Sequence, residues 1–142
     1  MAGDIVLGYD GSDGARAALP HAVELARAFD VPLAIVFAYG QNPVGGVTGD
    51  TRRAVEELGE GLLEEARAAA LAIDAMVEVE PELVDGRPVD ALVEVARQRG
   101  ARILAVGGNG HGSIVGSLLG SSTYKVLHQS TVPVLVVQPR RA

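Results

Sequence analysis

The sequence predicts a single α/β domain: a five-stranded parallel sheet with helices packed on both faces. Three observations predict it. Short apolar runs alternate with segments of helical periodicity along the whole chain, in the order β-α-β-α-β-α-β-α-β. Most of these runs are apolar at successive positions, as strands buried on both faces require. Strands that alternate with helices form parallel sheets joined by right-handed crossovers. The 142 residues fit one domain of ordinary size. Apolar residues make up 48% and aromatics only 4%, so the core must be mostly Val, Leu, Ile and Ala.

The elements follow in order. Residues 5–9 are a short apolar run that stops at Asp10-Gly11-Ser12-Asp13-Gly14. Ser12 or Asp13 can cap the next helix by accepting from its orphan amides. Over residues 14–30, Ala15, Leu19, Ala22, Val23 and Ala26 recur at helical spacing. Pro20 interrupts that pattern and predicts a kink, or a helix whose regular part begins late. Residues 31–39 form a second apolar strand. Residues 40–50, GQNPVGGVTGD, read as a loop. Residues 51–73 are the longest helical pattern, weakened by about 1 kcal/mol at each of Gly59 and Gly61. In residues 76–84 valines alternate with glutamates, which suits an edge strand with one wetter face. Asp85-Gly86-Arg87-Pro88 is a turn, and Pro88 takes the first position of a helix over residues 88–99 that Gly100 terminates. Then come a strand over residues 103–106, a glycine cluster, a short helix near residues 118–129, and a last strand from Val132 to Val137.

Composition narrows the function classes. A net charge of −6 with few aromatics argues against a nucleic-acid partner. The chain has no cysteine, which excludes disulfides, thiolate metal sites and thiol catalysis. No apolar run approaches the roughly 20 residues that span a bilayer. The start MAGDIVLGYD lacks a basic region followed by a long apolar one. A soluble, cytoplasmic protein without a membrane partner is expected.

The chemistry concentrates in residues 101–139. Gly107, Gly108, Gly110, Gly112 and Gly116 follow the fourth strand, and Gly120-Ser121-Ser122-Thr123 opens the last helix. Glycine makes backbone amides accessible, and a helix N-terminus favours anions, so this stretch suits phosphate. It is not a dinucleotide fingerprint, because Gly8, Gly11 and Gly14 have the wrong spacing. It is not a P-loop, because Ser113 occupies the lysine position. The expected strand order is 3-2-1-4-5, a Rossmann-like nucleotide-binding arrangement. Ligands then bind beyond the carboxyl ends of the strands, where the order reverses. The loops after strands one and four would face each other there.

The pattern that fits is G-x-x-G, nine residues, then G-[ST]: Gly107, Gly110, and Gly120-Ser121. With Asp10-Gly11-Ser12, the Gly86-Arg87-Pro88 turn and the closing PVLVV, the chain resembles the universal stress protein family, in its ATP-binding branch, over essentially its whole length. The resemblance implies a cradle for ATP or another adenine nucleotide. Gly107 and Gly110 would let the loop wrap ribose and phosphates. Gly120 and Ser121 would offer an amide and a hydroxyl to the phosphates, and Ser122 a further amide. Asp10 would bond the ribose or help hold Mg²⁺ on the phosphates. Gly8 and the backbone of Ala38 would line the adenine pocket, and Val106 would pack near the sugar. The resemblance also implies a homodimer through Val132 to Val137, an apolar strand at a sheet edge.

One departure bears on the ligand. Asn109 sits where the family often has a basic residue, and in that loop only His111 could become cationic. That could lower triphosphate affinity, or favour a ligand with less charge such as AMP or cyclic AMP, which stands as the alternative to ATP. The expected activity is binding and regulation. The alternatives are a slow Mg²⁺-dependent ATPase using Asp10, and an interaction module whose glycine loop is structural. No G-x-S-x-G elbow is present. His21, His128 and Lys125 read as surface residues.

Overall fold

The computed structural model describes residues 3–40, 49–108 and 120–139. Strands and helices alternate: β1 (Ile5–Gly8), α1 (Asp13–Phe29), β2 (Leu33–Tyr39), α2 (Gly49–Ile73), β3 (Val79–Asp85), α3 (Pro88–Gln98), β4 (Ile103–Gly107), α4 (Ser121–Gln129) and β5 (Val134–Val137). The sheet order is β3-β2-β1-β4-β5, and every neighbouring pair is parallel. This is the expected fold and the expected order.

Successive residues of a strand point to opposite faces, so each apolar run fills two cores. Ile5, Leu7, Leu33, Ile35 and Phe37 pack on one face against Leu19, Ala22 and Val23 of α1 and Leu63, Ala66 and Ala70 of α2. Val6, Ala34, Val36, Leu104 and Val106 pack on the other against Leu92, Val95 and Ala96 of α3 and Val126 of α4. β1 lies at the centre, and Ile5, Val6 and Leu7 are wholly buried.

Four boundaries differ from the sequence reading, each for a local reason. α1 starts at Asp13 and its span includes Pro20. The Ser12 hydroxyl accepts from the Ala15 amide at 3.2 Å and starts the helix early. Pro20 lies on the exposed face, where water can take the carbonyl of Arg16 that the ring leaves unpaired. α2 begins at Gly49, inside the stretch read as loop; residues 41–48 lie outside the described residues. β3 starts at Val79 because the preceding residues form a turn, in which Asp74 Oδ1 accepts from the Met76 amide at 2.9 Å. β5 starts at Val134 because the Ser130 hydroxyl donates to the Val132 carbonyl at 2.8 Å and accepts from the Val132 amide at 3.1 Å. That closes a small turn ahead of the strand.

Both sheet edges match the sequence expectation, with different chemistry. β3 carries Pro81, and its Glu80 and Glu82 are tied to Arg99, which also pairs with Asp4 at 2.7 Å. β5 is Val-Leu-Val-Val and half-buried throughout. Among the described residues no helix is long and apolar enough to cross a membrane.

Candidate functional site

At the carboxyl edge of the sheet the chain leaves β1 towards α1 and β4 towards α4, which lie on opposite faces. The two strands are neighbours, so a crevice opens beyond their carboxyl ends. It holds a cavity of about 270 Å³.

The floor of the cavity comes from what the strands lack. Gly8 ends β1, and Ala38 and Val106 are the penultimate residues of β2 and β4, all on the face that α3 and α4 cover. The small residues at the first two positions leave space where larger side chains would fill the core. Val36, Val89, Leu92 and Val126 complete an apolar wall. Asp10, Ser12, Gly107, Ser122 and Thr123 add polar groups at one side. A largely apolar hollow with a few convergent polar groups is the usual form of a small-molecule site.

Two glycines are required here by close approach. A Cβ on Gly107 would lie 2.4 Å from the Gly14 carbonyl carbon and 2.7 Å from the Ala15 nitrogen, so only glycine lets β4 end against the first turn of α1. A Cβ on Gly8 would lie 2.8 Å from Leu92 Cδ1, a side-chain methyl that also lines the cavity.

Hydrogen bonds fix the polar side. Asp10 Oδ1 accepts from the Ser12 amide at 2.9 Å, so Asp10 shapes the turn and leaves the cap of α1 to Ser12. The Gly108 amide donates to the Val137 carbonyl at 2.9 Å, and the Gly120 amide donates to the Gly108 carbonyl at 2.7 Å. The Thr123 hydroxyl donates to the Gly107 carbonyl at 2.7 Å. The first amides of any helix lack an intrahelical acceptor, and among the described residues no side chain caps α4. The donors this end offers are therefore the amides of Ser121, Ser122 and Thr123.

Burial raises the pKa of Tyr9 above its ordinary value, against a hydrogen bond from Arg16 that lowers it. At the end of β2, Tyr39 donates to Glu56 at 2.9 Å. That bond, helped by Arg52, holds the Glu56 carboxyl below the usual range. This network ties the first half of α2 to the strand ends beside the cavity.

Of the residues expected from the sequence, Gly8, Asp10, Ala38, Val106, Gly107 and Ser122 line the cavity together. Gly110 lies outside the described residues, as do Asn109 and His111. Ser121 is exposed at the start of α4 and is not part of the wall. Gly120 is buried, and its amide donates to the Gly108 carbonyl. The open amides start one residue later. Sequence reasoning missed Ser12, Leu92, Val126 and Thr123 as wall residues. Leu92 carried a signal, an inward position on a helix that starts at the same sheet edge.

A doubly wound α/β domain with a small-molecule cavity at its switch point is thus the class defined by the fold and the site. The chain matches the model of the universal stress protein family over residues 1–138 and belongs to that family. It is 34% identical over 140 residues to the universal stress protein in the QAH/OAS sulfhydrylase 3'region of Thermus aquaticus, covering 94% of this chain and 97% of that protein. It is 34% identical over 139 residues to the universal stress protein Rv1636 of Mycobacterium tuberculosis, covering 94% of each. A solved universal stress protein in complex with cAMP superposes with a TM-score of 0.75 at 34% identity, covering 99% of this chain and 100% of that one.

Proposed function

We propose that this chain binds an adenine nucleotide in the cavity and acts as a binding and regulatory module in the stress response. The observation that carries the reading is one continuous path. It runs from the apolar hollow over Gly8 and Ala38 to the open amides at the start of α4. The hollow suits a flat base, and the amides with the helix dipole suit phosphate. Asp10 lies beside both. A carboxylate accepts several hydrogen bonds, so ribose hydroxyls can join the Ser12 amide on it.

The lining also bears on which nucleotide is bound. Among the described residues of its wall, the only charged side chain is Asp10, and there is no Arg, Lys or His. Amides and a helix dipole balance one or two phosphate charges more readily than the four of ATP. AMP or cyclic AMP is therefore favoured over ATP, and a relative 34% identical to this chain was solved with cAMP. Among the described residues there is no cluster of three metal-ligating side chains. A Mg²⁺ ion would arrive on the phosphates, with Asp10 as the one carboxylate of the wall. The described wall residues supply no histidine or lysine to act with Asp10, and binding without efficient turnover is the reading.

The edge strands support a homodimer through β5. Pro81 and the charged glutamates protect β3 from pairing, whereas β5 presents an uncharged apolar edge. The test of ligand binding is calorimetric titration with ATP, AMP and cyclic AMP. Excess absorbance near 260 nm in the purified protein would show nucleotide carried through purification.

A further inference from the structure

We infer that Thr123 is a positioning residue: its hydroxyl sets the phosphate end of the cavity relative to the base end. The inference rests on the nucleotide reading above and goes beyond it. Among the described residues, the only buried polar side chains are Ser12 and Thr123, and both line this cavity. Ser12 spends its hydroxyl on the cap of α1. Thr123 spends its single donor across the cavity wall, on the carbonyl of Gly107.

That carbonyl ends β4, the strand whose Val106 forms part of the floor. Thr123 belongs to the first turn of α4, whose amides face the polar side. The bond therefore joins the strand that positions the base to the helix that positions the phosphate. The neighbouring bond from the Gly120 amide to the Gly108 carbonyl joins the same two elements through backbone alone and does not depend on residue type. Among the described residues, the Thr123 side chain bonds the first turn of α4 to the end of β4, at 2.7 Å to the Gly107 carbonyl and 3.4 Å to that of Gly108. Thr123 is buried in the cavity wall and valine has the same branched shape, so valine can replace it while deleting the bond.

The test compares AMP with adenosine, which lacks the phosphate, on wild type, Thr123→Val and Thr123→Ser. Loss of the bond should weaken AMP about tenfold and leave adenosine within about twofold. Thr123→Ser, which keeps the donor, should restore AMP affinity to near wild type. Thermal melts of each variant separate this from unfolding, and the adenosine titration itself reports a folded base pocket. Equal losses for AMP and adenosine, or no loss in Thr123→Val, would overturn the positioning role alone. Failure of wild type to bind either compound would overturn the nucleotide reading and this inference with it.

Discussion

Replacing Gly8 with alanine should close the cavity from within. The added Cβ would sit 2.8 Å from Leu92 Cδ1 and 3.1 Å from Cδ2. Ordinary carbon contacts lie at about 3.5–4.0 Å, so the leucine must retreat by roughly 1 Å. Leu92 is half-buried, and its free side is the cavity, so the retreat takes space from the ligand. Overpacking of this kind costs about 1–3 kcal/mol. A bound base would have to push Leu92 back against the new methyl. If the whole strain falls on binding, affinity drops by about 5-fold to 150-fold. The fold should survive, because a leucine tip can move where backbone cannot. Calorimetry with AMP and a thermal melt, run on Gly8→Ala beside wild type, make the measurement. A companion Gly8→Ala/Leu92→Ala variant, which removes the clash, should recover most of the affinity. Unchanged AMP affinity in a folded Gly8→Ala protein would refute the placement of the base over Gly8.

Three further outcomes follow from the same geometry. Gly107→Ala meets backbone atoms of Gly14 at 2.4 Å, so it should destabilise the fold by about 3 kcal/mol or more, well beyond the loss in Gly8→Ala, as read by urea denaturation. Light scattering at micromolar concentration should show a dimer, and Val136→Lys, whose stem can lie along the strand while its charge reaches water, should convert it to a folded monomer; a monomeric wild type would contradict the β5 interface. Because Tyr39 and Arg52 hold the Glu56 carboxyl below its usual range, their contribution is present above pH 4.5 and is lost as pH falls through the lowered value. Melting temperatures from pH 7 to pH 3 should therefore fall less steeply in Tyr39→Phe than in wild type, and parallel curves would show that the bond contributes nothing in solution.

The fold was legible because each element announces itself locally. Runs such as Ile5-Val6-Leu7 and Leu33-Ala34-Ile35-Val36 are apolar at every position, and only strands covered on both faces need that. Glutamates between the valines of β3 marked an edge, and Glu80 and Glu82 indeed reach Arg99 there. Part of the site was legible for the same reason, since Asp10 and Gly107 follow directly from strand ends, whereas Gly8, Ala38 and Val106 came only from the family resemblance. What was hidden depends on segments that meet only in three dimensions. The partner of Thr123 is sixteen residues away, and nothing in the local sequence separates its hydroxyl from those of Ser121 and Ser122. Gly59 read as a weak point in a helix. A Cβ there would lie 2.5 Å from Phe37 Cδ1, so the glycine lets α2 approach the sheet. Pro20 read as a kink or a late start of the helix, and its solvent-facing position is what lets the helix run through it.

The central claim is that the crevice between β1 and β4 holds an adenine nucleotide of low phosphate charge. Titration of the purified protein, first stripped of any carried ligand, with cyclic AMP, AMP and ATP in one buffer tests it most directly. The account predicts one site per chain, saturable binding of cyclic AMP or AMP, and weaker binding of ATP. Absence of binding by all three would contradict the site itself, and ATP binding more tightly than both monophosphates would contradict the charge argument drawn from its lining.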